Sequence, residues 1–117
     1  MLVTPEGDVF FQLGVCTITP CDDYTYIKGR EQIYAWLPKY ESEYKSAFRG
    51  HWATDISFYL ANRIRKTGKP FELEEWKSEQ IDRLHKWGFN SDGAFTSRAE
   101  VNREKKFGRV PGLYTPK

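Results

Sequence analysis

The sequence lacks several features that define whole classes of protein. Among its 117 residues no apolar run approaches the ~18 residues that a membrane-spanning helix needs. Residues 1–5 lack the basic head and apolar stretch of a secretion signal, so we expect a cytoplasmic location for the chain as it stands. The glycine-rich nucleotide motifs, the serine-hydrolase elbow and the HExxH zinc motif are all absent from the sequence. We therefore expect no cofactor and no membrane partner.

Cysteine and histidine are scarce, with two of each. Cys16 and Cys21 are close enough for a bridge if the chain turns at Pro20, whereas two free thiols fit the missing secretion signal better, so the pairing stays open. A four-ligand zinc site would have to recruit both cysteines together with His51 and His85. We expect no metal site.

Charge of one sign is not in large excess, since 18 Lys and Arg stand against 16 Asp and Glu. A net charge of +2 gives no general reason to bind nucleic acid. The length predicts a single α/β domain over residues 1–117, too short for a closed (β/α)₈ barrel of ~250 residues. Aromatic residues reach 16%, and they must either fill a core or line a binding surface.

The first part of the chain has the pattern of a β-turn followed by a strand. Residues 5–8 predict a turn between a short strand and the apolar run that follows, which together form an N-terminal hairpin. The run is almost unbroken over residues 9–18 and predicts a strand buried on both faces. Gly14 within it indicates a bend or a close neighbour. A polar loop over residues 20–29 and a short helix over residues 30–37 are expected next.

Two longer helices are predicted from apolar spacing. The first covers residues 55–66, with Thr54 as its cap and Gly68 at its end. The second covers residues 73–87, and its stripe predicts Trp76 and Trp87 as core residues.

The remainder alternates strand and helix. We expect a strand over residues 89–95, a helix over residues 97–107 opened by a Ser97–Glu100 capping box, and a strand over residues 110–115. This order favours about three parallel strands with crossover helices, a partial barrel-like unit. The open sheet edges of such a unit favour self-association.

Four segments, in order, resemble agarase-like (β/α)₈-barrel glycoside hydrolases. Residues 8–15 are similar to the family's opening strand, and residues 29–31 with 35–38 to its "GRE…WLP" segment. Residues 57–68 resemble its "FYxANLxRKxG" helix, and residues 83–90 its "RLxxWGFN" segment, which leads into the second strand. The resemblance implies the N-terminal part of a polysaccharide-hydrolysing barrel.

The resemblance also implies limits. In barrel glycosidases the acid/base and the nucleophile lie at the ends of later strands, so the catalytic carboxylate pair is not identifiable in this chain. Phe95 stands where the family has a tryptophan.

Ligand-facing residues are expected at the carboxyl ends of the parallel strands and in the matched segment. They are Asp22, Asp23, Tyr24, Arg30, Glu31, Asp92, Phe95 and Tyr114. Arg30 and Glu31 have the alternative of a structural ion pair.

Two functions from different classes remain. The first is a segment or stand-alone relative of a polysaccharide-degrading glycoside hydrolase, not catalytic alone, with a poly- or oligosaccharide as ligand. The alternative is a non-catalytic carbohydrate- or protein-binding α/β module that self-associates through its open edge.

Overall fold

The computed structural model describes residues 2–20 and 23–108. Within them the chain is a mixed α/β protein with small sheets and no closed barrel. In chain order the elements are β1 (Leu2–Val3), β2 (Val9–Phe10), β3 (Gly14–Val15), β4 (Thr25–Tyr26), β5 (Phe48–Arg49), β6 (Asp55–Ile56), α1 (Phe58–Thr67), α2 (Leu73–Lys86), β7 (Ser91–Asp92) and α3 (Val101–Glu104). Two 3₁₀ turns, Glu31–Ile33 and Glu43–Ala47, lie between β4 and β5.

The chain forms two compact units. One contains residues 1–19 and 73–117, and the other contains residues 20–72, inserted between β3 and α2. The expectation that the whole chain folds as a single domain stays a prediction. None of the described helices combines the length and the apolar character needed to cross a bilayer.

The first unit contains the predicted hairpin and the predicted parallel pair. β1 pairs antiparallel with β2, and β3 pairs parallel with β7, with Gly14 opposite Ser91. Gly108 adds a parallel bridge to Ser91, immediately before the predicted third strand, which lies outside the described residues. Among the described residues the parallel pairing consists of one strand pair and one bridge, and the partial barrel stays a prediction.

The apolar run of residues 9–18 is not the single buried strand that we predicted. It is divided into β2 and β3, and Val9 and Phe11 are 74% and 76% exposed. Asn90 contributes to the break, because its side-chain amide donates to the Phe11 carbonyl at 2.7 Å and accepts from the Leu13 amide at 2.9 Å. Residues 11–13 are therefore held by the Asn90 side chain together with its backbone amide, which donates to the Leu13 carbonyl at 2.9 Å.

Glycines allow the parallel pair to approach closely. A Cβ on Gly14 would lie 3.1 Å from the Ser91 hydroxyl, and one on Gly93 would lie 2.8 Å from the Cys16 backbone. The close neighbour expected at Gly14 is confirmed. Cys16 is exposed with a free thiol, whereas Cys21 lies outside the described residues.

The helix α2 forms where its stripe predicts it. Trp76, Ile81 and Leu84 are buried, with Val101 and Phe107 also in the core of this unit. Trp87 is 62% exposed, so its assignment to the core was wrong. Its amide still donates to the Arg83 carbonyl at 3.1 Å, so Trp87 keeps its place on the stripe, but it lies beyond the part of the stripe that is buried.

The start of α3 is capped by a residue that sequence spacing does not reveal. Both carboxylate oxygens of Glu74 accept backbone amides, from Glu100 at 2.9 Å and from Val101 at 3.0 Å. Ser97 instead donates its hydroxyl to Thr19 at 2.8 Å, so the predicted capping box does not form. The helix is accordingly shorter than predicted.

The second unit packs α1 against a three-stranded antiparallel sheet of order β4–β6–β5. Its buried core consists of Ile27, Ala47, Ile56, Leu60, Ala61 and Ile64. Aromatic side chains, among them Tyr34, Trp36 and Phe58, surround this core. α1 begins after Ser57, whose hydroxyl accepts the Leu60 amide, and not at the predicted Thr54; it ends at Gly68 as predicted. The helix expected over residues 30–37 is only a 3₁₀ turn.

Candidate functional site

A buried ionic cluster lies at the carboxyl end of β7. Lys77 on α2 places its ammonium 3.0 Å and 3.2 Å from the two carboxylate oxygens of Asp92, and donates to the Ser97 carbonyl at 3.3 Å. The Asn102 amide donates to the same carboxylate at 2.8 Å. The side chains of Lys77 and Asp92 are 0% and 2% exposed. Opposite charges and a third donor offset the cost of burying the carboxylate.

Lys77 is a residue that our sequence analysis missed, although a signal was present. At about 100° per residue it projects about 20° from Leu84 and about 40° from Ile81, inside the buried arc of α2. A charged residue at the centre of an apolar face must find a buried counter-charge. Asp92 supplies it.

The cluster also contains polar atoms with no partner. Among the described residues, the Ser91 hydroxyl and the Asn102 carbonyl oxygen are buried without a hydrogen bond. An open cavity of about 270 Å³ adjoins this region and is lined by Glu100, Asn102, Arg103 and Phe107. Because Asp92 is occupied by partners within the protein, the cluster holds β7, α2 and the residues before α3 together.

A second group of side chains lies on the three-stranded sheet of the other unit. Asp55 on β6 stands opposite Tyr26 on β4 and opposite Arg49 on β5, which makes a polar row across the sheet. The following residue, Ile56, is buried in the core. The polar row therefore occupies the outer face of the sheet, and Tyr26 is half-exposed there.

These side chains contact one another and two residues that sequence analysis singled out. The Arg49 Nε lies 3.5 Å from the Asp55 carboxylate, and its guanidinium lies 3.9 Å from the centre of the Tyr24 ring. The Arg30 guanidinium lies 5.9 Å from the centre of the Tyr26 ring. We call this group, Tyr24, Tyr26, Arg30, Arg49 and Asp55, the outer sheet face.

The chemistry of the outer sheet face suits a neutral polyhydroxylated ligand. Aromatic rings offer flat apolar surfaces with a negative face, whereas guanidinium and carboxylate groups donate to and accept from hydroxyl groups in fixed directions. The Arg49 side chain is 57% exposed although its Nε lies near the Asp55 carboxylate, so much of it stays open to solvent. No cluster of three metal-binding side chains occurs among residues 2–20 and 23–108.

The chain is similar to part of an agarase. It is 31% identical over 121 residues to beta-agarase B of Vibrio sp. (strain JT0107), a match that covers 79% of this chain and 13% of the agarase. No family model and no solved structure matches the chain. The similarity supports a relationship to glycoside hydrolases, and the chain spans only a small part of the relative's length.

The predicted ligand-facing residues are distributed over both units. Tyr24 and Arg30 belong to the outer sheet face; Asp23 and Glu31 are exposed in the same unit. Asp92 is buried, and Phe95, three residues later, is 78% exposed in the left-handed region at φ 60°. Asp22 and Tyr114 lie outside the described residues. Direct contact of this set with a ligand stays a prediction, and the structure adds Tyr26, Arg49 and Asp55.

Proposed function

We propose that this chain is a segment of a polysaccharide-degrading glycoside hydrolase, and that its outer sheet face contacts the sugar chain. The observation that carries the proposal is the match to beta-agarase B over 79% of the chain. The grouping of two tyrosines with the Arg49–Asp55 pair supports it, because this combination places aromatic surface beside groups that form directed hydrogen bonds.

In this proposal the chain binds sugar but does not cleave it alone. Glycoside hydrolysis requires two carboxyl groups that flank the scissile bond. The two groups are separated by about 5–5.5 Å in retaining enzymes and by ~6.5–9.5 Å in inverting enzymes. Asp92 is neutralised by Lys77 inside the protein and is not available for either role. Asp55 is paired with Arg49 and serves to orient that guanidinium. We also propose that the parallel strand pair is part of a partial (β/α) barrel.

The test is a titration of the chain with agarose-derived oligosaccharides, followed by amide chemical shifts. We expect shifts at residues 24–31, 49 and 55, and we expect Tyr24→Ala and Arg49→Ala to weaken binding. Lys45→Ala is the matched control, because Lys45 lies over the Tyr40 ring in the same unit but outside the outer sheet face. If the amide chemical shifts of the wild type do not change up to millimolar sugar, the proposal is contradicted. Release of reducing ends by the chain alone would contradict its non-catalytic part.

One observation favours the alternative of an interaction module. Val9, Phe11 and Leu13 occupy alternate positions of an extended segment, and all three are exposed. Apolar side chains at alternate positions beside a short strand favour pairing with another chain. The molecular mass in solution tests this: a monomer at millimolar concentration would exclude self-association through that edge.

A further inference from the structure

An exposed tryptophan stands at the tip of the hairpin that carries part of the outer sheet face. Residues 50–54 connect β5 to β6, and Trp52 at their centre is 83% exposed. The His51 ring lies beside it, at 5.0 Å between ring centres and nearly perpendicular. The broad faces of the indole are thus largely open to solvent.

The backbone that presents Trp52 adopts an unfavourable conformation. Trp52 and Ala53 have φ values of 64° and 54°, in the left-handed region that side chains other than glycine rarely adopt. The loop is nevertheless held in place, since the Ala53 amide donates to the Gly50 carbonyl at 3.2 Å and the Thr54 carbonyl accepts the Ile27 amide at 2.9 Å. Positive φ values are common in short hairpin connections, so this turn holds the backbone in one place while a large apolar ring stays exposed on it.

We propose that the indole of Trp52 stacks on a sugar ring, as a subsite for the residue next to the one bound at the outer sheet face. The inference rests on the proposed function. Arg49 and Asp55 are the last paired residues before the loop, so Trp52 is three positions from each of them. In this proposal an oligosaccharide lying along β5 and β6 reaches the indole with an adjacent ring.

A pyranose ring is the ligand that this surface suits best. Its C–H groups project from one face and complement the negative face of an indole, while its hydroxyl groups stay in water or meet the polar groups nearby. Tryptophan offers the largest ring for such a contact. A binding site built this way gains affinity with ligand length, because the outer sheet face and the indole are occupied by successive sugars.

The experiment compares short and long ligands by calorimetry on the full chain. An agarose-derived monosaccharide and an agarose-derived hexasaccharide are titrated into the wild type, Trp52→Ala and Trp52→Phe. We expect Trp52→Ala to weaken hexasaccharide binding by about tenfold, Trp52→Phe by less, and neither to change monosaccharide binding by more than about twofold, because a single ring fills only the outer sheet face. Trp87→Ala is the matched control, because Trp87 is also exposed but lies in the other unit. Far-UV circular dichroism confirms that each variant is folded.

The outcomes separate this inference from the proposed function. If Trp52→Ala binds hexasaccharide like the wild type while Tyr24→Ala does not, the subsite is wrong and the proposed function stands. An equal loss for both ligand lengths, or the same loss in Trp87→Ala, also contradicts a separate subsite. If the wild type binds neither sugar, the proposed function fails, and the subsite fails with it.

Discussion

The buried pair of Lys77 and Asp92 allows a quantitative prediction of stability. In Lys77→Met the ammonium is lost, and the buried Asp92 carboxylate keeps the hydrogen bond from the Asn102 amide but has no counter-charge from Lys77. Breaking a buried pair by removing one member costs about 3–5 kcal/mol, because the other charge stays uncompensated. A domain of this kind is stable by about 5–15 kcal/mol, so the variant loses a large part of its stability.

Urea denaturation followed by circular dichroism measures the effect. With a slope of about 2 kcal/mol per molar urea, a loss of about 4 kcal/mol lowers the midpoint by about 2 M. The matched control is Lys105→Met, since Lys105 pairs with the exposed Asp82 in the same unit. An exposed pair contributes about 0–1 kcal/mol, so the control midpoint moves by about 0.5 M or less.

A double variant separates the interaction between the two charges from the loss of packing around the lysine side chain. Combining Lys77→Met with Asp92→Asn removes both charges, and we expect the double variant to lose less stability than the two single variants together. The reasoning is refuted if Lys77→Met and Lys105→Met unfold at the same urea concentration. Strict additivity in the double variant would also refute it, because the two charges would then not interact.

Three further predictions use the same urea titration. Glu74→Gln weakens the cap of α3 and costs about 0.5–2 kcal/mol, whereas the exposed Glu72→Gln has little effect; equal midpoints would contradict the capping role. Trp76→Ala costs about 3–5 kcal/mol and Trp87→Ala about 1 kcal/mol or less, and the reverse order would contradict their burial. Gly93→Ala costs about 1–3 kcal/mol, because its Cβ would meet the opposite strand's backbone at 2.8 Å; a wild-type midpoint would mean that the strands can separate freely.

The parts of the fold that could be predicted are those with a long periodic signal. The helix α2 shows its apolar spacing over 14 residues, and Gly68 marks the end of α1 through its left-handed conformation. The parallel pairing of residues 14–15 with 91–92 follows from the strand–helix–strand order. A crossover helix of this length leaves few other ways for the second strand to pack.

The solvent exposure of residues 9–13 could not be predicted, because an apolar composition does not determine whether a segment is buried. An unbroken apolar run favours an extended backbone, but it is buried only where another layer covers it. In the described residues Asn90 pairs with this segment through its side chain and its backbone amide, and Val9 and Phe11 face solvent. Trp87 shows the same distinction at the end of α2, where a position on the apolar stripe does not by itself bring a layer that covers the side chain.

The outer sheet face was only partly visible in the sequence for a related reason. Tyr24 and Arg30 were singled out by their position after the first strand and in the matched segment, whereas Arg49 and Asp55 come from strands of two residues, too short for an alternating pattern to show. Only the register, with Asp55 opposite both Tyr26 and Arg49, brings these side chains to one face. A shift of one residue in β6 would put Asp55 in the core and Ile56 in water, so the burial of Ile56 is what secures the polar row.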